Sequence, residues 1–240
     1  MKIKKPEMIF FDCGGTLISD VKANNHKGVK ALFSLIASNP YGVTENDFEQ
    51  CFFQTMREAR KISGKLVEIS NSALLKYTLD YFSIQLYVSI EQAELYVLNE
   101  LCHSCQIKNA DKMLQTLYEI NIRSGIITNV SWSHENVKTI LEALFPMHSF
   151  EMIITSSEYI FRKPDKHIFE IALKKAQLKS QDVWYVGNEY EADIIGAVNA
   201  GLTPVMFAAE DNLPAFGAVN MTDCLTVSDW SEFVRFLKQL

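Results

Sequence analysis

The chain predicts an α/β fold, a doubly wound parallel sheet whose alternation is broken near the amino terminus by an inserted helical bundle. Three observations carry this expectation. Short apolar runs alternate with amphipathic stretches through the carboxyl-terminal half, the pattern of parallel strands joined by crossover helices. Between about Asp20 and Ser104 that alternation fails, and amphipathic stretches follow one another. The 240 residues exceed the ~100–150 of a common single domain and fall short of two, which suits one domain carrying an insertion.

The strand-like runs are residues 8–12, 123–128, 151–155, 183–186 and 204–208, most of them followed by small or polar residues. Between them, residues 111–119, 133–145, 165–177 and 191–200 place apolar side chains at three- and four-residue spacing, as in Ile168, Ile171, Ala172 and Ala176. Four helices are predicted for the insertion, at residues 26–38, 44–61, 71–82 and 89–103. Thr44 and Ser89 stand at cap positions, and Asn39-Pro40-Tyr41-Gly42 forms a break. The second helix carries Phe48, Cys51, Phe52, Thr55, Met56 and Ala59 on one side, a face that packs against neighbours in a bundle. The expected division is a core of residues 1–19 and 105–240, with a helical cap of residues 20–104.

Composition narrows the function classes. Apolar residues make up 48% and charged residues 22%, which excludes disordered and fibrous classes. A net charge of −6 has the wrong sign for a nucleic-acid or anionic-membrane partner, so neither is expected. The apolar run after the basic start lasts only from Met8 to Phe11, too short for a signal peptide, and no run approaches a membrane span. Five scattered cysteines suit a reducing compartment, and a cytoplasmic location is expected. Cys102-His103-Ser104-Cys105 has half-site spacing for a metal, but no second pair completes it, and a helix end with buried cysteines is the expected reading. Arg57, Arg60, Lys61 and Lys65 read as a solvated helix face. The sequence leaves the oligomeric state open.

In an open α/β sheet the ligand lies beyond the carboxyl ends of the strands, and four strand ends carry reactive groups. Asp12 ends the first run and precedes Gly14 and Gly15, which allow a tight turn and backbone N–H groups close to a ligand. Thr128 and Asn129 end the second run and offer a hydroxyl and an amide, suited to an anion or to capping a helix. Lys163 precedes Pro164 at a helix start. Asn188, Glu189, Glu191 and Asp193 follow the fourth run, an acid-rich group that calls for a cation or complements a helix dipole.

Taken in order, the acid on the first strand, then Thr128, then Lys163, then the final acid group resemble the four motifs of the haloacid dehalogenase-like (HAD) superfamily over nearly the whole chain. The resemblance implies a Rossmann-like core with a C1-type helical cap, and a hydrolase acting on a small anionic, phosphorylated substrate. By the same resemblance Asp12 is the nucleophile, forming an aspartyl-phosphate. Gly14, Gly15, Thr128, Asn129 and Lys163 hold the transferring group, and Mg²⁺ is bound by Asp12, the main-chain oxygen of Gly14, Asn188, Asp193 and Glu189.

Two positions depart from the pattern. Gly14 stands where phosphatases of the superfamily carry a second Asp that protonates the leaving group, help typically worth ~10²–10⁴ in rate. Glu189, Glu191, His134 or a cap residue are candidate substitutes. Asn188 replaces the Asp after the fourth-motif glycine and offers an oxygen without charge. Two alternatives therefore stand beside a slow phosphoryl hydrolase or transferase: a HAD fold retained as a binding protein, and a metal-independent 2-haloacid dehalogenase.

Overall fold

The computed structural model describes residues 4–19, 25–101, 104–208 and 224–240. In chain order the elements are β1 (Met8–Phe11), β2 (Ile18–Ser19), α1 (Asn25–Phe33), β3 (Ile36–Ser38), α2 (Glu45–Ser63), α3 (Asn71–Tyr81), β4 (Gln85–Leu86), α4 (Ile90–Leu101) and β5 (Cys105–Gln106). The chain continues through α5 (Ala110–Glu119), β6 (Arg123–Thr128), α6 (His134–Leu144), β7 (Met152–Thr155), α7 (Ser156–Tyr159), α8 (Lys166–Ala176) and β8 (Val183–Gly187). A π-helical turn, Tyr190–Ile195, leads into α9 (Gly196–Asn199), β9 (Thr203–Phe207), β10 (Leu225–Val227) and α10 (Trp230–Leu237).

The six-stranded sheet has the order β10-β9-β8-β1-β6-β7, and all its pairings are parallel. Strand β1 lies between β8 and β6, where the order of connection reverses, so the crevice at its carboxyl end is the place for a ligand. All four residues of β1 are buried, as expected of a central strand covered on both faces. Alternate side chains feed two cores. Ile9 and Phe11 pack with Ile126, Trp184 and Trp230, whereas Met8 and Phe10 pack with Phe169 and Tyr185. Trp230 stacks on Phe207 at 4.3 Å and meets the edge of Phe11 at 5.7 Å. Strand β10 and helix α10 extend the predicted set. In α10, Trp230, Phe233 and Leu237 fall at helical spacing and bury one face, whereas the three-residue β10 is too short for a periodic signal.

Helices α1 to α4 pack around Leu32, Phe48, Leu75, Leu79 and Ala93. Thr44 caps α2 with a reciprocal bond to Asp47, and Ser89 and Gln92 do the same before α4. The helix expected at residues 26–38 ends at Phe33, because Ile36–Ser38 pairs with Gln85–Leu86 as an antiparallel ribbon. Cys105 likewise lies in a strand instead of a helix end. It pairs with Ser19 in the β2–β5 ribbon, is exposed, and holds Sγ 2.8 Å from Ser19 Oγ. Cys102 and His103 lie outside the described residues. Among the described residues no helix is long and apolar enough to cross a membrane.

A buried carboxylate joins the helical layer to the sheet. Glu68, between α2 and α3, accepts from Ser156 Oγ (2.6 Å), Ser131 Oγ (3.1 Å), Arg60 (3.2 Å) and Arg162. The backbone around it pairs with residues 160–162, through Glu68 N–H to Ile160 O and Arg162 N–H to Leu66 O. Arg60, read from sequence as part of a solvated face, is thus an ion-pair partner. Burial pushes the Glu68 carboxyl up, but the Ser156 hydrogen bond and the Arg162 charge outweigh it, so the net direction is below its ordinary 4.5. Glu68→Ala is expected to destabilise the fold by about 3 kcal/mol, read as a lower denaturant midpoint, because it strands the arginines. A carboxyl depressed in the folded state stabilises above its unfolded pKa and loses that contribution as pH falls through the folded one. The gap between wild type and Glu68→Ala should therefore narrow below about pH 4.5.

Candidate functional site

Asp12 follows β1 directly, its N–H bonded to Val186 O at 2.8 Å, and is 7% exposed. The chain then folds back at once. The N–H groups of Leu17 and Ile18 reach Cys13 O, and Gly15 N–H reaches Ile18 O. Gly15 has φ +73°, and a Cβ there would lie 2.5 Å from the Asn188 amide, so both conformation and space require glycine. Cys13 is buried in the core, as the alternation of the strand predicts.

Lys163 meets Asp12 from the segment before α8 and is only 4% exposed. Its ammonium donates to Asp12 Oδ1 (2.6 Å), Asp193 Oδ1 (2.7 Å) and Tyr185 OH (2.7 Å), which uses all three of its N–H bonds. Burial lowers the affinity of such a group for its proton, but Asp12 and Asp193 outweigh that, and the net direction is upward. Burial also raises Asp12, partly offset by Lys163 and reinforced by Asp193, to about 6. Tyr185 is raised by burial and by Asp193. Its hydroxyl lies 2.9 Å from Ile127 O and 3.1 Å from Asp193 Oδ1.

Asp193 is fully buried on the π-helical turn after β8, a bulge of the kind often found at functional sites. Its Oδ2 accepts from Glu189 N–H at 2.8 Å. A Cβ on Gly187 would lie 2.3 Å from the Asp193 carboxyl, so the strand end must be glycine for the carboxylate to fold back against it.

The Asn188 amide faces Gly14 O (2.9 Å), Thr16 Oγ1 (2.9 Å) and Asp12 Oδ2 (3.3 Å), with its nitrogen as donor to all three. Turned over, its Oδ1 would join Gly14 O and Asp12 Oδ2 in a set of oxygens. Neighbouring oxygens around an octahedral Mg²⁺ are about 2.9 Å apart, close to the 2.9 and 3.3 Å that separate the amide from Gly14 O and Asp12 Oδ2. The two carboxylates and one ammonium also leave a net negative charge, which an incoming anion would require a cation to offset. Among the described residues no group of three or more His, Cys, Asp or Glu side chains is placed to hold a metal, so a cation here would rely on main-chain and amide oxygens beside Asp12.

Other residues expected at the site have different surroundings. Thr128 ends β6 beside β1 and is buried. Asn129, expected to meet an anion or cap a helix, clamps the Lys163 backbone, donating from Nδ2 to Lys163 O (2.9 Å) and accepting Lys163 N–H at Oδ1 (2.8 Å). Both ends of the amide being engaged, it orients the lysine. Asp193 has both oxygens taken by Lys163, Tyr185 and Glu189 N–H, and the Glu189 and Glu191 side chains are exposed. His134 lies 3.6 Å from Glu158 at the start of α6. Tyr185 and Thr16 were not foreseen. A tyrosine two residues before Gly187 in an otherwise apolar strand is the signal that could have shown the first, since a buried hydroxyl needs a partner.

The haloacid dehalogenase-like hydrolase family matches residues 9–207 of the chain. The protein belongs to the haloacid dehalogenase-like hydrolases. A glyceraldehyde 3-phosphate phosphatase from Methanothermobacter thermautotrophicus is 34% identical over 93 residues, which span 39% of this chain and 38% of that relative. The pyrimidine 5'-nucleotidase YjjG of Escherichia coli is 28% identical over 204 residues, 82% of this chain and 84% of that protein. The solved 2-haloacid dehalogenase from Pseudomonas syringae pv. Tomato shares the fold, with TM-score 0.65 at 18% identity over 98% of this chain and 99% of that one.

Lys163→Met removes the only ammonium bonded to this pair of carboxylates among the described residues and leaves both buried. The expected loss is about 3–5 kcal/mol of stability, measured by urea unfolding. An unchanged midpoint would mean that the carboxylates take up protons without cost.

Proposed function

We propose that this HAD hydrolase cleaves a small phosphate monoester through an aspartyl-phosphate on Asp12. The observation that carries the reading is the buried Asp12 carboxylate at the carboxyl edge of the sheet, with Lys163 on one oxygen and a neutral amide on the other. The named phosphatase relatives support it, since glyceraldehyde 3-phosphate and pyrimidine nucleotides are both small phosphate monoesters.

In the first step an Asp12 oxygen bonds to phosphorus as the ester P–O bond breaks, and the leaving alkoxide takes a proton from water. In the second, water attacks the phosphorus, the Asp12–phosphorus bond breaks, and inorganic phosphate leaves with the carboxylate restored. Lys163 holds Asp12 in place and offsets the charge of two anions brought together. The Gly14 and Gly15 backbone approaches the phosphoryl oxygens without a side chain in the way. Asp12, the Gly14 carbonyl and the Asn188 oxygen would hold a Mg²⁺ ion, which would supply charge neutralisation of the phosphoryl group. With Asp193 and Glu189 engaged or exposed, that set would be sparse, and a low affinity is expected.

Purified protein with Mg²⁺ is expected to hydrolyse members of a phosphate panel slowly and to form a beryllofluoride adduct, and Asp12→Asn should abolish both. No turnover and no adduct across the panel would favour the binding-protein reading. Halide release from 2-chloropropionate without metal would favour a dehalogenase. Gly14→Asp is expected to raise turnover at least about tenfold, toward the ~10²–10⁴ of a positioned acid, if the remaining groups are competent. Asn188→Asp should tighten Mg²⁺ binding by about tenfold or more in calorimetry, a measurement independent of turnover.

A further inference from the structure

The segment that delivers Lys163 to the site bends through a turn that its sequence does not favour. Ile160 has φ +68° and ψ −48°, and Phe161 N–H donates back to Tyr159 O at 2.7 Å, which makes a γ-turn of the rare, strained hand. A β-branched residue at positive φ is an outlier, because its Cβ crowds the backbone. The Ile160 residue is 57% exposed, so burial of its side chain does not hold the turn. Strain of this kind persists only where the surroundings over-determine it.

Those surroundings come from the helical layer and converge on Glu68. Its N–H donates to Ile160 O at 2.6 Å, and Arg162 N–H donates to Leu66 O at 2.9 Å, so backbone bonds grip the turn on both sides. The Glu68 carboxylate also takes the guanidinium of Arg162, the residue just before Lys163. It takes Ser131 and Ser156 as well, and Ser156 Oγ in turn accepts Val130 N–H at 2.8 Å. Val130 and Ser131 directly follow Asn129, which grips the Lys163 backbone from the sheet side. Both supports of the lysine, the turn and the β6–α6 loop, are thus tied to one carboxylate.

We propose that Glu68 is a positioning residue for the reaction at Asp12: it holds the strained turn at Ile160 so that the Lys163 ammonium enters between Asp12 and Asp193. This rests on the phosphatase reading for its link to turnover, and on the geometry alone for the placement of the lysine. The groups bonded to the Glu68 carboxylate are all donors, so Glu68→Gln turns an N–H group toward donors and loosens the clamp. The turn then relaxes, and the ammonium leaves its place about tenfold more often, within the range that such strain is worth. Glycine has no Cβ to crowd the turn, so adding Ile160→Gly removes the drive to relax and restores the lysine without the clamp.

The test follows Lys163 directly and then turnover. Wild type, Glu68→Gln, Glu68→Gln with Ile160→Gly, and Thr44→Ala are treated with acetic anhydride; peptide mass spectrometry counts acetylation, and thermal melts record the stability of each. Lys163 should be acetylated about tenfold faster in Glu68→Gln than in wild type, and return to within about threefold of wild type when Ile160→Gly is added. The exposed Lys76 should react alike in all four. Thr44→Ala loses the cap at the opposite end of α2, so it should melt lower yet protect Lys163 as wild type does. No rise in Glu68→Gln, a rise that Ile160→Gly does not reverse, or acetylation that simply follows melting temperature across the four proteins overturns the proposal. Should Glu68→Gln not fold, Arg162→Met opens the same clamp from its partly exposed partner and is read in the same way. In the kinetic arm, Glu68→Gln should lower kcat on a phosphate ester by about tenfold with KM unchanged, and Ile160→Gly should restore it. An unchanged kcat overturns the link to the reaction. If Lys163 responds as expected but wild type turns over no phosphate ester, the placement stands and the phosphatase reading falls.

Discussion

The arrangement at the sheet edge depends on the buried ammonium of Lys163. Two carboxylates, Asp12 and Asp193, arrive from different strands and would repel each other in a dry site. One lysine with all three N–H bonds directed holds them within hydrogen-bond distance of the same nitrogen. Its own position is set by Asn129, which grips both its backbone N–H and C=O. Because every donor is committed, the lysine is a rigid counter-charge and not a mobile surface cation.

That centre is reinforced from the helical layer. Glu68 gathers Arg60, Arg162, Ser131 and Ser156 into one buried network, and Arg162 immediately precedes Lys163. The segment carrying the lysine is thus fixed on one side by the sheet and on the other by the loop between α2 and α3. The β6–α6 loop serves both regions as well, since Asn129 orients Lys163 while Ser133 N–H donates to Glu94 of α4. Packing of the helices and order at the sheet edge are consequently linked through short stretches of backbone.

The same geometry gives Gly14 and Asn188 their meaning. An amide at 188 is neutral and, with its nitrogen toward Asp12 and the Gly14 carbonyl, satisfies those acceptors without a further charge. A carboxylate there would add a third negative group around one lysine and demand a cation. Gly14 leaves the tight turn after Asp12 without a side chain. Together these residues make the centre less charged than two additional acids would.

Much of this was legible in the amino-acid order. The five longer apolar runs became parallel strands, Thr44 and Ser89 became caps, and Asp12, Lys163 and Asp193 were singled out as a set because their order matched a family pattern. The helix proposed through residue 38 was misjudged because Ile36 and Ser38 find strand partners at Gln85 and Leu86, a pairing over nearly fifty positions that local periodicity does not record. The grip of Asn129 on the Lys163 backbone was not legible, because an amide looks the same in sequence whether it holds backbone or ligand. What the sequence by itself determined was the alternation of apolar runs, and with it the sheet, the helical insertion and the identity of the ionisable groups at the strand ends, since these follow from side-chain period and local backbone preference. Only the tertiary structure decided that Lys163 bonds to both carboxylates, that Tyr185 joins them, that Glu68 locks the layers and that Glu94 meets Ser133 and Asn136, because each is a contact between residues distant in the chain whose energy depends on burial and distance.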